Sequence, residues 1–244
     1  LAFCTLKLDQ GKWNYKIEIG ETIAYESKWR IRLSQLRKQP SVVYVKTDTF
    51  YGHYLGQLVN QFIKKHSLSV DFIASHGHTI FHMPEKGYTA QIGSGAALYA
   101  ETGIPVVCDF RSVDVGLGGH GAPLVAIGDR DLFQQYDYVL NLGGIANISA
   151  EHEGKRIAYD ISPCNIILNR VARNMDLLFD EGGKIAQSGS IHYDLLKTLN
   201  QLPYYKQNFP KSLGREWINS EFWPITRDFP NVKNEDLMKT FADH

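Results

Sequence analysis

The stretch that decides the fold lies at residues 136–160 and reads YDYVLNLGGIANISAEHEGKRIAYD. Its apolar residues alternate with polar ones, and this period is typical of strands that are buried on one face. Gly143-Gly144 and Glu151–Gly154 are turn sequences that divide the stretch into three parts. The pattern therefore predicts three strands, with a hairpin between the second and third: Tyr136–Asn141, Ile145–Ala150 and Lys155–Tyr159.

The residues before this stretch and the residues from Tyr136 onwards share one order of elements, a hairpin followed by one or more helices. Leu1–Leu8 and Trp13–Ile19 are predicted to form a hairpin, with a connection longer than two residues. The other predicted strands are Asp71–Ser75, Thr89–Ile92 and Ile104–Cys108, and the predicted helices are Trp29–Gln39, Thr49–Lys65, Ala96–Thr102, Ile166–Leu178 and Glu235–Ala242. We expect an α/β protein with mixed sheets, made of two similar lobes with a cleft between them, the first at 1–135 and the second at 136–244.

Composition excludes several classes of protein. The 244 residues are 43% hydrophobic, which argues against disorder, and Lys+Arg and Asp+Glu are both 26, which disfavours a basic nucleic-acid binder. No apolar run approaches the roughly 20 residues of a membrane span, and residues 1–9 lack a signal-peptide pattern. The cysteines Cys4, Cys108 and Cys164 are odd in number and widely spaced, which predicts a reduced, cytoplasmic protein without a disulfide framework or structural zinc. Because the chain begins with Leu1, we expect a fragment of a longer protein.

Ser75-His-Gly-His-Thr79 follows a predicted strand, and ligands bind at strand ends in open α/β sheets. Three interpretations stay open for it. The polar side chains contact a ligand; His76, His78 and His82 bind a metal ion; or the histidines only stabilise a loop.

A second polar stretch, Cys108-Asp-Phe-Arg-Ser-Val-Asp114, follows another buried strand and leads into a flexible glycine loop at Gly116–Gly121. An arginine fork matches a carboxylate or a phosphate, so Arg111 is a candidate ligand-binding residue. An internal ion pair with Asp109 or Asp114 is the alternative, and both can hold.

Asn141-Leu-Gly-Gly-Ile-Ala-Asn147 is a candidate anion-binding turn, because glycines let backbone N–H groups approach a phosphate. In the next stretch, Asp160 is predicted to end a strand, where a carboxylate can act as a general base. A cap or turn role for Asp160, and a nucleophilic Cys164 with a lowered pKa near a helix N-terminus, are the alternatives.

The ordered set of these stretches resembles the anhydro-N-acetylmuramic acid kinase family, in the sugar kinase/Hsp70/actin superfamily. The matching pieces are Ser75-His-Gly-His-Thr-Ile80, Gln91-Ile-Gly93, Thr102-Gly-Ile-Pro-Val-Val107, Asp109-Phe-Arg111, Gly118-Gly-His-Gly-Ala-Pro-Leu124, Asn141-Leu-Gly-Gly-Ile-Ala-Asn147 and Pro210-Lys-Ser-Leu-Gly-Arg-Glu216. The resemblance implies a two-lobed, actin-like (ribonuclease H-like) fold and an ATP- and Mg²⁺-dependent kinase of the bacterial cytoplasm. The implied reaction opens the 1,6-anhydro ring of anhydro-N-acetylmuramic acid to give the 6-phosphate, in cell-wall recycling.

The resemblance also implies roles for individual residues. Asp160 is the implied catalytic base. The implied sugar-binding residues are His76, Thr79, Asp109, Arg111, Asp114 and Gly121, and the implied ATP-binding residues are Asn141, Gly143, Gly144 and Asn147. No protein metal ligand is implied, and a homodimer through the aromatic region Tyr204–Trp223 is an open expectation.

The chain departs from the family pattern in several places. Asp160-Ile-Ser-Pro-Cys-Asn165 replaces Asp-x-Gly-Pro-Gly-Asn, Asn169 stands where the family often has Asp, and His78 and His120 stand where Gln is common. We also expect the family's N-terminal serine- and glycine-rich hairpin and its C-terminal part to be missing, which leaves the second lobe incomplete and the fragment without a full ATP site. A non-catalytic sugar-binding relative, a kinase acting on an ordinary hydroxyl and an actin-like assembly protein are the alternative functions.

Overall fold

The computed structural model describes residues 1–209 and 211–244. Pro210, the first residue of the last matching piece, lies outside the described residues. The chain packs as two compact units, Leu1–Leu124 and Val125–His244. The lobe boundary predicted between residues 135 and 136 stays a prediction. The mixture of helices with antiparallel and parallel strands confirms the α/β class.

The first unit opens with a hairpin of β1 (Ala2–Asp9) and β2 (Lys12–Gly20). Asp9 pairs with Lys12, so only Gln10 and Gly11 connect the strands, with φ values of 48° and 78°. The prediction of a longer connection was wrong, because the polar residues at 9 and 12 belong to the strand ends. Two left-handed residues form the turn that matches the twist of a two-residue hairpin.

Helices α1 (Ser27–Gln35), α2 (Ser41–His66), α3 (Gly95–Thr102) and α4 (Ser112–Gly116) follow in the first unit. The helix α2 begins eight residues before its predicted start, directly after Pro40, whose fixed φ suits the start of a helix. Val42 and Val45 in its first turns are exposed, so no apolar period marks them. The core of this unit is formed by Trp29, Leu33, Leu36, Tyr51 and Ile92.

Two further strand pairs complete the first unit. β3 (Ile73–Ser75) pairs in parallel with β6 (Val106–Cys108), and β4 (His78–Met83) pairs antiparallel with β5 (Tyr88–Ile92). The sequence did not predict β4, because its histidines and threonine obscure the alternation. Within the stretch Ser75–Thr79, only His76 and Gly77 lie between the two strands, so this stretch is not a free loop.

The second unit begins with α5 (Val125–Leu132), which the sequence did not predict, and a three-stranded antiparallel sheet. Its strands are β7 (Tyr138–Leu142), β8 (Ile145–His152) and β9 (Lys155–Pro163). The three predicted strands are confirmed, but β9 continues four residues further than predicted. Asp160 therefore lies inside a strand, and the predictions that it ends one, or serves as a cap or turn residue, were wrong.

Helices α6 (Asn165–Arg173), α7 (Lys184–Ser188), α8 (Tyr193–Asn200), α9 (Arg215–Trp217) and α10 (Asn234–Asp243) form the rest of the second unit. Single helical turns lie at Pro203–Lys206, Ile218–Phe222 and Trp223–Asp228. The core contains Ile167, Val171, Leu195, Leu199, Phe222 and Met238. Tyr204 and Phe222 are buried, so much of the aromatic region serves the core of this unit. No helix in the described part of the chain is long and apolar enough to cross a membrane.

Candidate active site

Three polar side chains of the second unit form a row across its sheet. Asn141 on β7 pairs with Asn147 on β8, and Asn147 pairs with Asp160 on β9. Directly paired residues on antiparallel strands project to the same face of the sheet, so the two amides and the carboxylate lie side by side. A bulge between Ala146 and Asn147 lets β9 place an extra residue, Ile161, beyond this row.

The turn Gly143-Gly144 is attached to the start of α6 through its carbonyl groups. Gly144 O accepts hydrogen bonds from the backbone N–H groups of Cys164 and Ile166, both at 3.0 Å, and Gly143 O accepts one from Asn165 at 3.2 Å. The Asn165 side-chain amide also donates to Gly143 O, at 2.9 Å. Within residues 1–209 and 211–244, the N–H groups of Gly143 and Gly144 donate to no protein acceptor. These two N–H groups are thus available to an anion.

Asp160 is half-buried, and its carboxylate has one fixed oxygen. Oδ2 accepts a hydrogen bond from the Leu213 backbone N–H at 2.8 Å, and no described residue donates to Oδ1. Burial raises the pKa of the Asp160 carboxyl above its ordinary value, and the Leu213 hydrogen bond opposes this rise. A carboxylate with a raised pKa, one oriented oxygen and one open oxygen suits a general base.

Tyr204 and the segment after residue 210 contact the backbone of Asp160 from outside the sheet. Lys211 O accepts from the Asp160 backbone N–H at 3.3 Å, and the Tyr204 hydroxyl donates to Asp160 O at 2.6 Å. The Lys211 ammonium lies 4.7 Å from the centre of the Tyr204 ring. Sequence reasoning missed this role of Tyr204, Lys211 and Leu213, although the last two belong to a matching piece of the resemblance.

In the first unit, Arg111 connects two of the predicted stretches. Its Nε donates to His76 Nε2 at 3.0 Å, and its Nη1 donates to Gly121 O at 2.5 Å. His76 Nδ1 in turn lies 3.0 Å from Gly77 O, which fits a proton on Nδ1 and an acceptor at Nε2. The Nη2 group of Arg111 donates to no residue in the part of the chain that the structure describes. Arg111 is thus oriented by protein atoms and retains donors for a ligand.

The two neighbouring aspartates organise the backbone around Arg111 instead of pairing with its guanidinium. Asp114 Oδ2 accepts from Gly121 N at 2.6 Å, and Asp109 Oδ1 accepts from the Ser112 hydroxyl at 2.5 Å. Gly121 has a φ of 61°, and an added Cβ would lie 2.7 Å from the Val115 side chain, so only glycine fits there. The glycine loop is therefore built around Asp114.

The remaining predicted residues of the first unit have separate contacts. Thr79 Oγ1 accepts from the Gln91 amide at 3.4 Å, and His82 Nδ1 lies 3.1 Å from Thr89 Oγ1. Burial lowers the pKa of His78, whose ring meets Tyr51 edge-on. Among the described residues, no three His, Cys, Asp or Glu side chains are placed to hold a metal ion.

Cys164 is half-buried at the start of α6. Burial raises the pKa of its thiol, and the Asn165 backbone N–H opposes this only in part. The alternative of a nucleophilic cysteine with a lowered pKa was wrong, because desolvation outweighs the helix N-terminus here.

Comparison with known proteins relates this geometry to a family. The family model described as anhydro-N-acetylmuramic acid kinase matches residues 25–243, which is most of the chain. The chain belongs to the anhydro-N-acetylmuramic acid kinase family. The matched range includes Arg111 and its neighbours in the first unit, and the Asn141–Asn147–Asp160 row in the second.

Individual relatives agree with this assignment. A protein named anhydro-N-acetylmuramic acid kinase from Shewanella frigidimarina is 36% identical over 210 residues, covering 81% of this chain and 57% of its own length. Proteins of the same name from Zymomonas mobilis and Chromobacterium violaceum are 45% and 43% identical, over 68% and 62% of this chain and 48% and 42% of their own lengths. The chain thus matches between 42% and 57% of the length of these relatives.

Proposed function

We propose that this anhydro-N-acetylmuramic acid kinase family member catalyses ATP-dependent opening of the 1,6-anhydro ring of anhydro-N-acetylmuramic acid, which gives N-acetylmuramic acid 6-phosphate. One observation carries the proposal: Asp160 lies in one row with Asn147 and Asn141, on the sheet whose turn presents the free N–H groups of Gly143 and Gly144. A base and an anion-binding turn on one sheet are what this reaction requires.

Asp160 supplies the base. Its open Oδ1 accepts a proton from the water that attacks the anomeric carbon, as the base of an inverting glycosidase does. The bond between the anomeric carbon and O6 breaks with its electron pair on O6. This oxygen then takes the γ-phosphoryl group as the bond between the γ-phosphorus and the bridging oxygen breaks and ADP leaves. The Leu213 N–H keeps the other carboxylate oxygen in place, so the base has one orientation.

The turn suits the phosphates of ATP. The free N–H groups of Gly143 and Gly144 would hold phosphate oxygens, and the amides of Asn141 and Asn147 would add polar contacts. Mg²⁺ would bind through one or two protein oxygens together with the phosphates of ATP. When bound, the ion neutralises charge on the transferring phosphoryl group.

The residues around Arg111 suit the sugar. The unoccupied Nη2 of Arg111 is a natural partner for the carboxylate of the lactyl group. We assign His76, Gly121 and Asp114 to holding Arg111 and its loop in place, with Thr79 and Asp109 as further polar contacts. The hydrogen bonds within the first unit support these roles.

The order of elements in each unit suits a lobe of an actin-like fold. We assign the two units to the two lobes of an actin-like fold, since each begins with or near an antiparallel hairpin and continues into helices. A cytoplasmic location and a homodimer are part of the same proposal, and the family relationship supports the first.

The test uses the intact protein with Asp160→Asn, which keeps the shape but removes the base. We expect turnover to fall by about 10²–10⁴-fold, while sugar binding changes little. Asp194→Asn, at an exposed carboxylate of α8, is the matched control and keeps full turnover. Turnover of Asp160→Asn like that of the wild type would remove Asp160 from the mechanism.

Product mass distinguishes the alternative functions. Ring opening adds one water, so ¹⁸O from labelled water appears at the anomeric carbon of the 6-phosphate. Phosphorylation without ¹⁸O uptake indicates a kinase of an ordinary hydroxyl. Sugar binding by the intact wild-type protein without ADP release indicates a non-catalytic relative.

A further inference from the structure

A cavity of about 610 Å³ lies in the second unit beside Gly144. Three arginines and three asparagines supply its polar lining, and isoleucines supply the rest. We call it the arginine pocket, and its polar residues are Asn165, Asn169, Arg170, Arg173, Arg215 and Asn219. No carboxylate from the described residues lines this pocket.

The spacing of α6 creates one wall of the arginine pocket. Asn165, Asn169 and Arg173 recur at intervals of four residues, which places them along one face of the helix. Arg215 begins α9, and Asn219 follows in the next helical turn. The wall is made of side chains, because the first N–H groups of α6 are already used by the carbonyls of Gly143 and Gly144.

The positive charge of this pocket is not neutralised by the protein. In residues 1–209 and 211–244, none of Arg170, Arg173 and Arg215 forms an ion pair with a carboxylate. Exposed arginines usually need no partner, but three that line one cavity repel each other. A bound anion would remove this repulsion.

Arg170 is held in a fixed orientation. Its Nη1 donates to Asn219 Oδ1 at 3.0 Å, and its guanidinium carbon lies 3.8 Å from the centre of the Trp223 ring. Burial and the neighbouring Arg227 lower the pKa of Arg170. A fixed guanidinium needs little further ordering on binding, which favours affinity.

We propose that the arginine pocket binds a phosphate-bearing anion. Three guanidinium groups with three asparagine amides offer forked donors on several sides, which match the oxygens of a phosphate group better than a single carboxylate. The group belongs to a nucleotide or to a free phosphate compound. Gly144 lines this pocket and also belongs to the turn proposed for the phosphates of ATP, so the nucleotide form of this proposal rests on the proposed function, whereas the free-phosphate form does not.

The experiment measures pyrophosphate binding to the 244-residue chain by calorimetry. Arg173→Gln and Arg215→Gln should each weaken it about tenfold, since each removes a charged hydrogen-bond donor. Asn169→Asp nearly preserves shape but adds a negative charge, and it should weaken binding at least as much. Arg130→Gln is the matched control, because Arg130 pairs with Asp131 outside this pocket.

Circular dichroism verifies that each variant is folded, and Asn169→Asp tests the pocket without removing an arginine.

Titration of the same variants with ATP shows whether the bound phosphate group belongs to a nucleotide. Loss of ATP and pyrophosphate affinity together assigns the pocket to a nucleotide, whereas loss of pyrophosphate affinity alone assigns it to a free phosphate compound. No pyrophosphate binding by the wild type, or equal binding by all variants, overturns the proposal. Asp160→Asn should bind pyrophosphate like the wild type, so the two proposals fail separately.

Discussion

Gly189 lies against the start of α10, and replacing it with alanine should destabilise the second unit. An added Cβ would lie 2.1 Å from Glu235 O and 2.4 Å from Glu235 C. Gly189 has φ −87° and ψ 170°, a conformation open to any residue, so the obstacle is space alone. Because a carbon and an oxygen atom rest at roughly 3.5 Å, the helix would have to move by about 1 Å or more.

Such a movement affects two hydrogen bonds that attach the segment to α10. Ser190 N donates to Asp236 Oδ1 at 2.7 Å, and His192 N donates to Thr240 Oγ1 at 2.9 Å. Overpacking costs about 1–3 kcal/mol and the loss of each of the two hydrogen bonds about 1 kcal/mol, which gives a total loss of about 3–5 kcal/mol. With a urea dependence of about 1–3 kcal/mol per molar, the midpoint should fall by about 1 M or more.

Urea unfolding followed by circular dichroism measures the midpoint, and hydrogen exchange of peptides from α10 localises the effect. Gly128→Ala is the matched control in the same unit, because an added Cβ there meets open space inside α5. Alanine in a helix interior should raise stability by about 0.5–1 kcal/mol. If Gly189→Ala unfolds at the wild-type urea concentration, the close contact between Gly189 and α10 is refuted.

Three further predictions concern titration and buried polar groups. Burial raises the pKa of Asp160, and the base must be ionised to act. The acidic side of the pH profile of kcat/KM should therefore report a pKa above 3.8, and a pKa of 3.8 or below would contradict this prediction. Ser149→Ala removes the donor to the buried Asp129 carboxyl and should cost about 1–3 kcal/mol in urea unfolding, whereas no loss would mean another partner. Burial lowers the pKa of His244 from 6.5 to about 4, so the unfolded chain takes up the proton first and the free energy of unfolding should fall as the pH drops from 6.5 towards 4. His244→Gln should lose this pH dependence, and a variant that keeps it would contradict the prediction.

The sheet of the second unit could be predicted because its strands alternate apolar with polar residues and are joined by turn residues. Alternation placed β7, β8 and the first part of β9, and Gly143-Gly144 separated the first two. The same reasoning missed β4, whose histidines interrupt the pattern, and the beginning of α2, whose valines face solvent. Hydrophobic period reports burial, so the exposed first turns of α2 and the polar strand β4 carry no periodic signal.

The surroundings of Asp160 show where sequence reasoning stops. Its pairing with Asn147 follows once two neighbouring strands are aligned, because the bulge shifts the register by one residue only. Its carboxylate accepts a hydrogen bond from the backbone N–H of Leu213, which is 53 residues away, and almost every residue carries such a donor. A backbone donor has no side-chain signature, so neither the fixed oxygen nor the burial behind the raised pKa could be inferred. The choice of Asp160 as base came from its residue type and the family pattern, whereas the one open oxygen on which its proposed role depends is a property of the tertiary structure.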